Sequence, residues 1–237
     1  MSAGETLRLA DIGIKGKIFC LSMQRSGTSS VGDFLQQWGL KRAGHQLSRK
    51  QQWSINWYNG NFESIFSDPE FQQHEIFEDD PFWCPEFYKY VYHRVPGSKF
   101  VLLCRDPDAW FKSMIRHSYG FTLGHTEMHA KIYRREDELA WLENNIPGFR
   151  AASPKAMVLY DKAAHYKATY VRHIAEVKKF FLANDKDALF VADLTDATTW
   201  PRLKEWLALP EKKEVSLSVH AHKARGEFTR ADLLRTN

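Results

Sequence analysis

The sequence is short of cysteine, of long apolar runs and of blocks of like charge, and each shortage removes a class of protein. Three cysteines occur in 237 residues, Cys20, Cys84 and Cys104. They are too few and too scattered for a disulfide framework, and no CxxC spacing offers a structural zinc site. Cys20 and Cys104 fall within apolar runs and are expected to pack in strands. No stretch reaches the roughly 20 apolar residues that span a bilayer, and residues 1–17 lack a charged start followed by an apolar run. A cytoplasmic protein with no membrane partner is expected. The basic residues are dispersed, and neither a recognised nucleic-acid motif nor an internal repeat is present, so nucleic acid is not an expected partner.

What is present fits a globular chain: 43% hydrophobic and 26% charged residues, with a net charge of +4 that mildly favours anionic ligands. The length suits one large α/β domain, taken as 1–237, with 1–16 and 211–237 peripheral or loop-rich. Eight tryptophans and sixteen phenylalanines promise an aromatic core. Trp53, Trp57, Tyr58, Phe82 and Trp83 are available to shape a pocket, although core packing is the commoner role for any one of them.

Hydrophobic patterning repeats one unit. Residues 18–21 form a short apolar run suited to a buried strand, a polar turn follows at 22–28, and Val31, Phe34, Leu35 and Trp38 then recur at helical spacing, with Gly39 suited to a left-handed cap. The unit returns at 99–119, where the strand 100–104 precedes Asp106-Pro107, an N-cap followed by proline at the first helical position, and Trp110, Met114 and Ile115 mark the buried face. A third apolar run at 188–192 leads to Asp193 and a short helix over 200–209, with Thr199 as a possible cap. A further strand is expected at 74–77. A long helix is expected over 153–182, with Tyr160, Ala164, Tyr170, Ile174, Val177 and Phe181 on one face. Residues 41–71 are read as irregular or short helical cover. Strands alternating with helices predict a three-layer α/β/α domain around a mostly parallel sheet, with ligands at the carboxyl ends of its strands.

A loop that runs into a helix N-terminus presents backbone N–H groups without intrahelical partners, and the helix dipole adds positive potential. In 24–30, Gln-Arg-Ser-Gly-Thr-Ser-Ser, Gly27 allows close backbone approach, the hydroxyls add donors and Arg25 supplies a cation. A serine-rich helix cap would look similar. The segment resembles the phosphosulfate-binding loop of the sulfotransferases that use 3'-phosphoadenosine 5'-phosphosulfate (PAPS), whose pattern is Pro-Lys/Arg-Ser-Gly-Thr-Thr/Ser. It matches from Arg25 to Ser29, with Gln24 in place of the proline. The family reads the donor's 3'-phosphate with an arginine at a strand end and a serine eight positions on, and Arg105-Asp106-Pro107 with Ser113 has that spacing. Arginine's planar fork suits a phosphate. A bacterial and fungal-type branch carries Asp-x-Pro after its second strand, similar to Asp79-Asp80-Pro81.

The resemblance implies a P-loop NTPase-like sulfotransferase fold, PAPS as donor, no metal, and a small-molecule acceptor bearing a hydroxyl or amine. Arg25, Ser26, Gly27, Thr28, Ser29 and Ser30 would hold the 5'-phosphosulfate, with Arg25 also stabilising charge on the bridging oxygen, and Arg105 and Ser113 would take the 3'-phosphate. Asp79 is the first candidate for the base, with Asp80, Glu78 and His45 as alternatives. Lys223, Arg225 and Gly226 faintly resemble the segment that closes over the 3'-phosphate. Two other readings compete. A P-loop kinase or NTPase would share the architecture, and residues 189–193 imitate a Walker B strand, but Gly-x-x-x-x-Gly-Lys-Ser/Thr is missing and threonine stands at 28 where lysine should follow Gly27. A non-catalytic nucleotide-binding protein would keep the fold without turnover.

Overall fold

The computed structural model describes residues 7–149, 157–212 and 216. In chain order its strands and helices are β1 (Ile18–Cys20), α1 (Thr28–Gln36), β2 (Arg42–Ala43), α2 (His45–Lys50), α3 (Trp53–Tyr58), α4 (Phe62–Phe66), α5 (Pro69–Gln73), β3 (Ile76–Phe77), α6 (Phe87–Arg94), β4 (Lys99–Cys104), α7 (Pro107–Ser118), α8 (Thr126–Tyr133), α9 (Glu136–Asn145), α10 (Ala163–Asn184), β5 (Leu189–Asp193) and α11 (Thr199–Trp206). They fall into two compact units, one built from residues 1–105 and 174–221 and the other from 106–173 with 222–237.

The first unit holds the sheet. Its five strands run in the order β2-β3-β1-β4-β5 and every pairing is parallel, with Ile18 opposite both Ile76 and Lys99, and Cys104 opposite Asp193. Side chains alternate across a strand, so each strand feeds both faces. On one face Ile18, Cys20, Val101 and Leu103 pack with Val31, Phe34 and Leu35 of α1 and Trp200 and Leu203 of α11. On the other, Phe19 and Phe77 join Phe71, Phe82 and Trp53, with Phe19 and Phe77 5.2 Å apart, while Phe100 meets Phe181 of α10 at 4.7 Å. Helices on both faces of an all-parallel sheet make the expected three-layer α/β/α arrangement.

Asp106 caps α7 as expected, its Oδ1 accepting the Ala109 amide at 2.8 Å, and Pro107 is the first helical residue. In the second unit Trp110 of α7 stacks on Tyr170 at 4.3 Å. There His129 Nδ1 accepts the Leu123 amide, which leaves Nε2 to donate to Tyr166 at 2.6 Å, and Arg135 donates to the same hydroxyl at 2.7 Å. Burial, with Arg135 nearby, pushes the His129 imidazole down to about 3, so it is neutral.

Several boundaries differ from the sequence reading. The strand expected at 74–77 is paired only at Ile76–Phe77, because His74 still ends α5 through its amide on Glu70. The helix expected from 153 begins at Ala163, preceded by a short 3-10 turn over Tyr160–Lys162; residues 150–156 lie outside the described ones. On that helix Tyr170, Val177 and Phe181 are buried as expected, but Ala164 is exposed and Tyr166 takes the buried place. The helix expected at 200–209 ends at Trp206, and Thr198, not Thr199, precedes it; the Thr199 hydroxyl donates to the Asp193 carbonyl instead. Residues 41–71 hold four short helices and also β2, the edge strand missed from sequence. Among the described residues no helix is long and apolar enough to cross a membrane.

Phe77 is fully buried among the rings of Phe19, Trp53, Phe71 and Phe82. Phe77→Ala is expected to cost about 3–5 kcal/mol. Urea unfolding measures this, and a loss below about 1 kcal/mol would contradict the packing described.

Candidate functional site

In a parallel sheet all carboxyl ends lie along one edge, and the segments leaving β1 to β4 carry most of the chemistry-bearing residues. The segment after β1 is bound to β4 before it turns. Leu21 N–H donates to the Val101 carbonyl at 2.7 Å, and the Leu103 amide donates to Ser22 Oγ at 2.7 Å, so a side chain continues the ladder where the β1 backbone departs. Arg25 then takes a left-handed conformation (φ 69°), as does Gly27 (φ 89°). Such turns gather successive amides into an anion-binding concavity. Left-handed backbone is strained for arginine, a cost of order 1–2 kcal/mol that tends to concentrate at functional sites. Glycine suits position 27 because its φ is positive; a Cβ there would also lie 2.5 Å from Leu194 Cδ1, so the leucine side chain would have to move. The α1 ladder opens with Val31 N–H on the Gly27 carbonyl, so the amides of Thr28 and Ser29 precede its first rung. Ser26 and Ser30 are buried, whereas Thr28 and Ser29 are half-buried.

Arg105 follows β4 directly, and β4 pairs with β1, so two arginines leave neighbouring strands on the same edge. The Arg25 guanidinium is held below its usual value by burial and by the positive charge of Arg105. Ser113 lies on α7 in the second unit, buried within its helix.

At the tip of β3 come Glu78, Asp79 and Asp80, and next to β3 the end of β2 delivers Gly44 and His45. Glu78 is buried (2% exposed) and its Oε1 accepts from Arg42 Nε at 2.9 Å. Arg42 also pairs with Asp33 of α1. Glu78 Oε2 has no hydrogen-bond partner among the described residues, and Gly32 makes room for it, since a Cβ there would lie 2.5 Å away. Burial outweighs Arg42 and pushes the Glu78 carboxyl up to about 7. Burial is the largest single influence on the Arg42 guanidinium and lowers it, but the two carboxylates it faces together hold it above its usual value.

Asp79 behaves in the opposite way. Burial opposes its charge, but hydrogen bonds from His45, from the Asp80 side chain and from the Asp80 amide (2.8 Å to Oδ1) hold its carboxyl below the usual range. Asp80 is pushed up to about 7 by burial and then by the Asp79 charge, against a hydrogen bond from Ser54. His45 Nδ1 lies 3.5 Å from Asp79 Oδ2. One ligand atom from each of His45, Asp79 and Asp80 lies within 4.8 Å of the others, close enough to share one cation.

Comparison with protein families gives a match to the sulfotransferase domain over residues 17–218, a span that runs through both units. The chain belongs to the sulfotransferase family. No curated protein matches it.

In this sulfotransferase the arginines at 25 and 105, the glycine at 27 and the acid cluster at 78–80 all occupy strand ends of the first unit, where the sequence reading expected a site. Lys223, Arg225 and Gly226 lie outside the described residues. The aromatics named for a pocket divide: Trp53, Trp57, Phe82 and Trp83 are buried and Tyr58 is exposed, while Trp53 Nε1 donates to Asp68 at 2.7 Å as part of the core. The Walker B imitation also resolves. Asp193 Oδ1 accepts both the amide and the hydroxyl of Thr195 at 2.6 Å, a local turn that engages one of its two carboxylate oxygens. Three contributors went unnoticed in the sequence: Ser22, Ser54 and the Arg42–Glu78 pair. Ser22 carried a signal, a hydroxyl placed immediately after an apolar strand; the other two depend on contacts between distant segments.

Glu78 gives a pH prediction. Its folded carboxyl keeps a proton that the unfolded chain releases near 4.5, so stability falls as pH rises from about 4.5 to about 7. Relative to Glu78→Gln, the wild type is expected to lose on the order of 2–3 kcal/mol between about pH 5 and about pH 8. Urea unfolding of both proteins at the two pH values checks this, and parallel pH dependences would refute it.

Proposed function

We propose that this sulfotransferase uses PAPS as donor and moves its sulfuryl group to a hydroxyl or amine of a small-molecule acceptor, releasing adenosine 3',5'-bisphosphate. The observation that carries the reading is the placement of Arg25 and Arg105 after the carboxyl ends of the adjacent parallel strands β1 and β4, with Arg25 in a left-handed turn before the N-terminus of α1. A fold that sets one cation after each of two neighbouring strand ends is suited to a ligand with two anionic ends, and a doubly phosphorylated adenosine is such a ligand. In this reading the amides of residues 26–30 and the hydroxyls of Thr28 and Ser29 hold the 5'-phosphosulfate. Arg105 takes the 3'-phosphate, and the family pattern adds Ser113, Lys223, Arg225 and Gly226. The chain acts as one functional domain in the cytoplasm, a compartment consistent with three free thiols.

Sulfuryl transfer needs the acceptor and the leaving oxygen in line on either side of sulfur, so positioning and charge stabilisation supply most of the catalysis. Arg25 neutralises charge growing on the oxygen between sulfur and phosphorus. The acceptor's proton must go to a base, which the family pattern puts at Asp79. The sulfuryl group carries less charge than a phosphoryl group and makes no demand for a divalent ion. Threonine at 28, where a phosphate-binding lysine should follow Gly27, weighs against the kinase reading.

Adenosine 3',5'-bisphosphate is expected to raise the melting temperature well above the effect of ATP with magnesium; the reverse ranking in a thermal-shift assay would favour a kinase. Transfer of labelled sulfate from PAPS to a panel of phenols, alcohols and amines tests turnover. In that assay Arg25→Ala is expected to lose at least about tenfold in rate, the loss expected when one charge-stabilising group is removed, and EDTA is expected to change nothing. Near-normal activity of Arg25→Ala would remove this residue from the mechanism, and inactivation by EDTA would point to a metal on His45, Asp79 and Asp80.

A further inference from the structure

We infer that Arg42 is a positioning residue for sulfuryl transfer: by gripping Glu78 and Asp33 it fixes the donor-binding helix α1 against the strand tip that carries Asp79 and Asp80. The inference rests on the sulfotransferase reading above. Arg42 Nε donates to Glu78 Oε1 at 2.9 Å and its Nη2 donates to the same oxygen, while its Nη1 donates to Asp33. One guanidinium thus joins three pieces of the first unit: β2, which carries it, the residue that follows β3, and the middle of α1. α1 begins at Thr28, directly after the phosphosulfate loop, and Asp33 stands about 7.5 Å further along it. Glu78 is followed at once by Asp79 and Asp80. The bridge therefore runs from the donor's helix to the acids from which the base is drawn.

The surroundings are shaped for this bridge and against local stability. Gly32 stands inside α1, where glycine is the poorest residue after proline. A Cβ there would lie 2.4 Å from Arg42 Nε and 2.5 Å from Glu78 Oε2. Gly44, which follows β2, leaves room as well, since its Cβ would lie 2.9 Å from Glu78 Oε1 and 3.4 Å from Arg42 Nε. Two backbone segments approach the pair this closely because neither carries a side chain there. The Glu78 side chain is 3% exposed, and its Oε2 has no hydrogen-bond partner among the described residues. A buried ion pair is a weak source of stability, because desolvation cancels most of its attraction, and its best-attested use is to select one arrangement among several. Departures from local rules gathered at one place are expected at functional sites.

The reaction explains what must be held. In-line displacement needs acceptor, sulfur and bridging oxygen in one line, and a misplacement of about 1 Å can cost about 100-fold in rate. The donor is set by the loop and the start of α1, and the acceptor's proton goes to the tip of β3, so the rate depends on the spacing of these two segments. β1 and β3 are paired through Ile18 with Ile76 and Phe19 with Phe77, and then both chains leave the ladder. Beyond that point Arg42 ties Glu78, the first residue after β3, to α1, the first helix after β1. Arg42 is not among the donor contacts named above, so its loss should misalign the reacting groups without weakening the hold on the nucleotide.

The test measures kcat, KM for PAPS and urea unfolding for wild type, Arg42→Met, Arg42→Lys and Asp33→Asn, with labelled PAPS and the best acceptor of the panel. Arg42→Met is expected to lose about 100-fold in kcat while its KM for PAPS stays within about threefold and its thermal shift with adenosine 3',5'-bisphosphate is unchanged. Arg42→Lys keeps the charge but lacks the fork that serves both carboxylates, and should recover part of the loss. Asp33→Asn removes only the α1 end of the bridge, at a half-buried side chain, and should lose about tenfold in kcat with stability close to wild type. It decides the case by itself should Arg42→Met not fold. A purely structural bridge would lower stability and leave the kcat of the folded protein unchanged. A kcat within about twofold of wild type in Asp33→Asn and in folded Arg42→Met therefore overturns the inference. A loss carried by KM for PAPS also overturns it, since Arg42 would then belong to the donor site. Failure of the wild type to transfer sulfate from PAPS to any acceptor overturns the donor assignment before any variant is compared, and this inference falls with it.

Discussion

The parallel pairing of β1 with β4 is the constraint from which the site follows. Two parallel neighbours must end on the same edge, and each is followed here by a turn into a helix, so residues that leave the two strands are forced together whatever their charge. Ser22 makes the arrangement rigid by accepting the Leu103 amide after the β1 backbone has left the ladder. Arg25 and Arg105 are then held close enough for one to depress the other's proton affinity. Neither that repulsion nor the left-handed backbone at Arg25 helps the fold. Both are offset by the sheet's two apolar faces, where Phe19, Phe77, Phe82 and Phe100 lie on one side and Phe34 and Trp200 on the other.

The same edge shows how neighbouring acids acquire different ionisation. Glu78, Asp79 and Asp80 are consecutive, yet each meets another environment. Glu78 is turned into the protein against Arg42 and Gly32, Asp79 collects donors from His45 and Asp80, and Asp80 carries the cost of lying beside a carboxylate that is already charged. Separation of proton affinities within a compact group of titratable residues is a common mark of sites that move protons. It arises from packing of β2, β3, α1 and α2, and so cannot be read from three adjacent acids in a sequence.

That contrast explains what was legible in the chain. The strand-loop-helix units at 18–36 and 99–118 were plain because a buried parallel strand and an amphipathic helix each leave a local signature, and Asp106-Pro107 marked a helix start that the Ala109 amide now occupies. The glycine at 27 and the arginines at 25 and 105 were legible for the same reason, being fixed by position relative to strand ends. Residues 41–71 were opaque. β2 is two residues long and lies at the edge, so it has no room for an alternating pattern, and the short helices around it bury their aromatics through contacts with distant segments. The helix was expected too early because Tyr160 belongs to a short 3-10 turn, Tyr160–Lys162, that runs directly into Ala163.

The architecture also separates sulfuryl from phosphoryl chemistry at the level of single residues. A parallel sheet with an anion-binding loop after its first strand serves both, and fold alone assigns neither. A kinase needs a lysine after the loop glycine and a carboxylate free to serve a metal, because a phosphoryl group concentrates negative charge. Here threonine follows Gly27, and the acid that ends β5 is tied to Thr195 in a turn of its own. Two arginines stand instead after the ends of β1 and β4, one of them in a left-handed turn. At the other end of the same edge β2 and β3 bring an exposed imidazole and a half-buried carboxylate together.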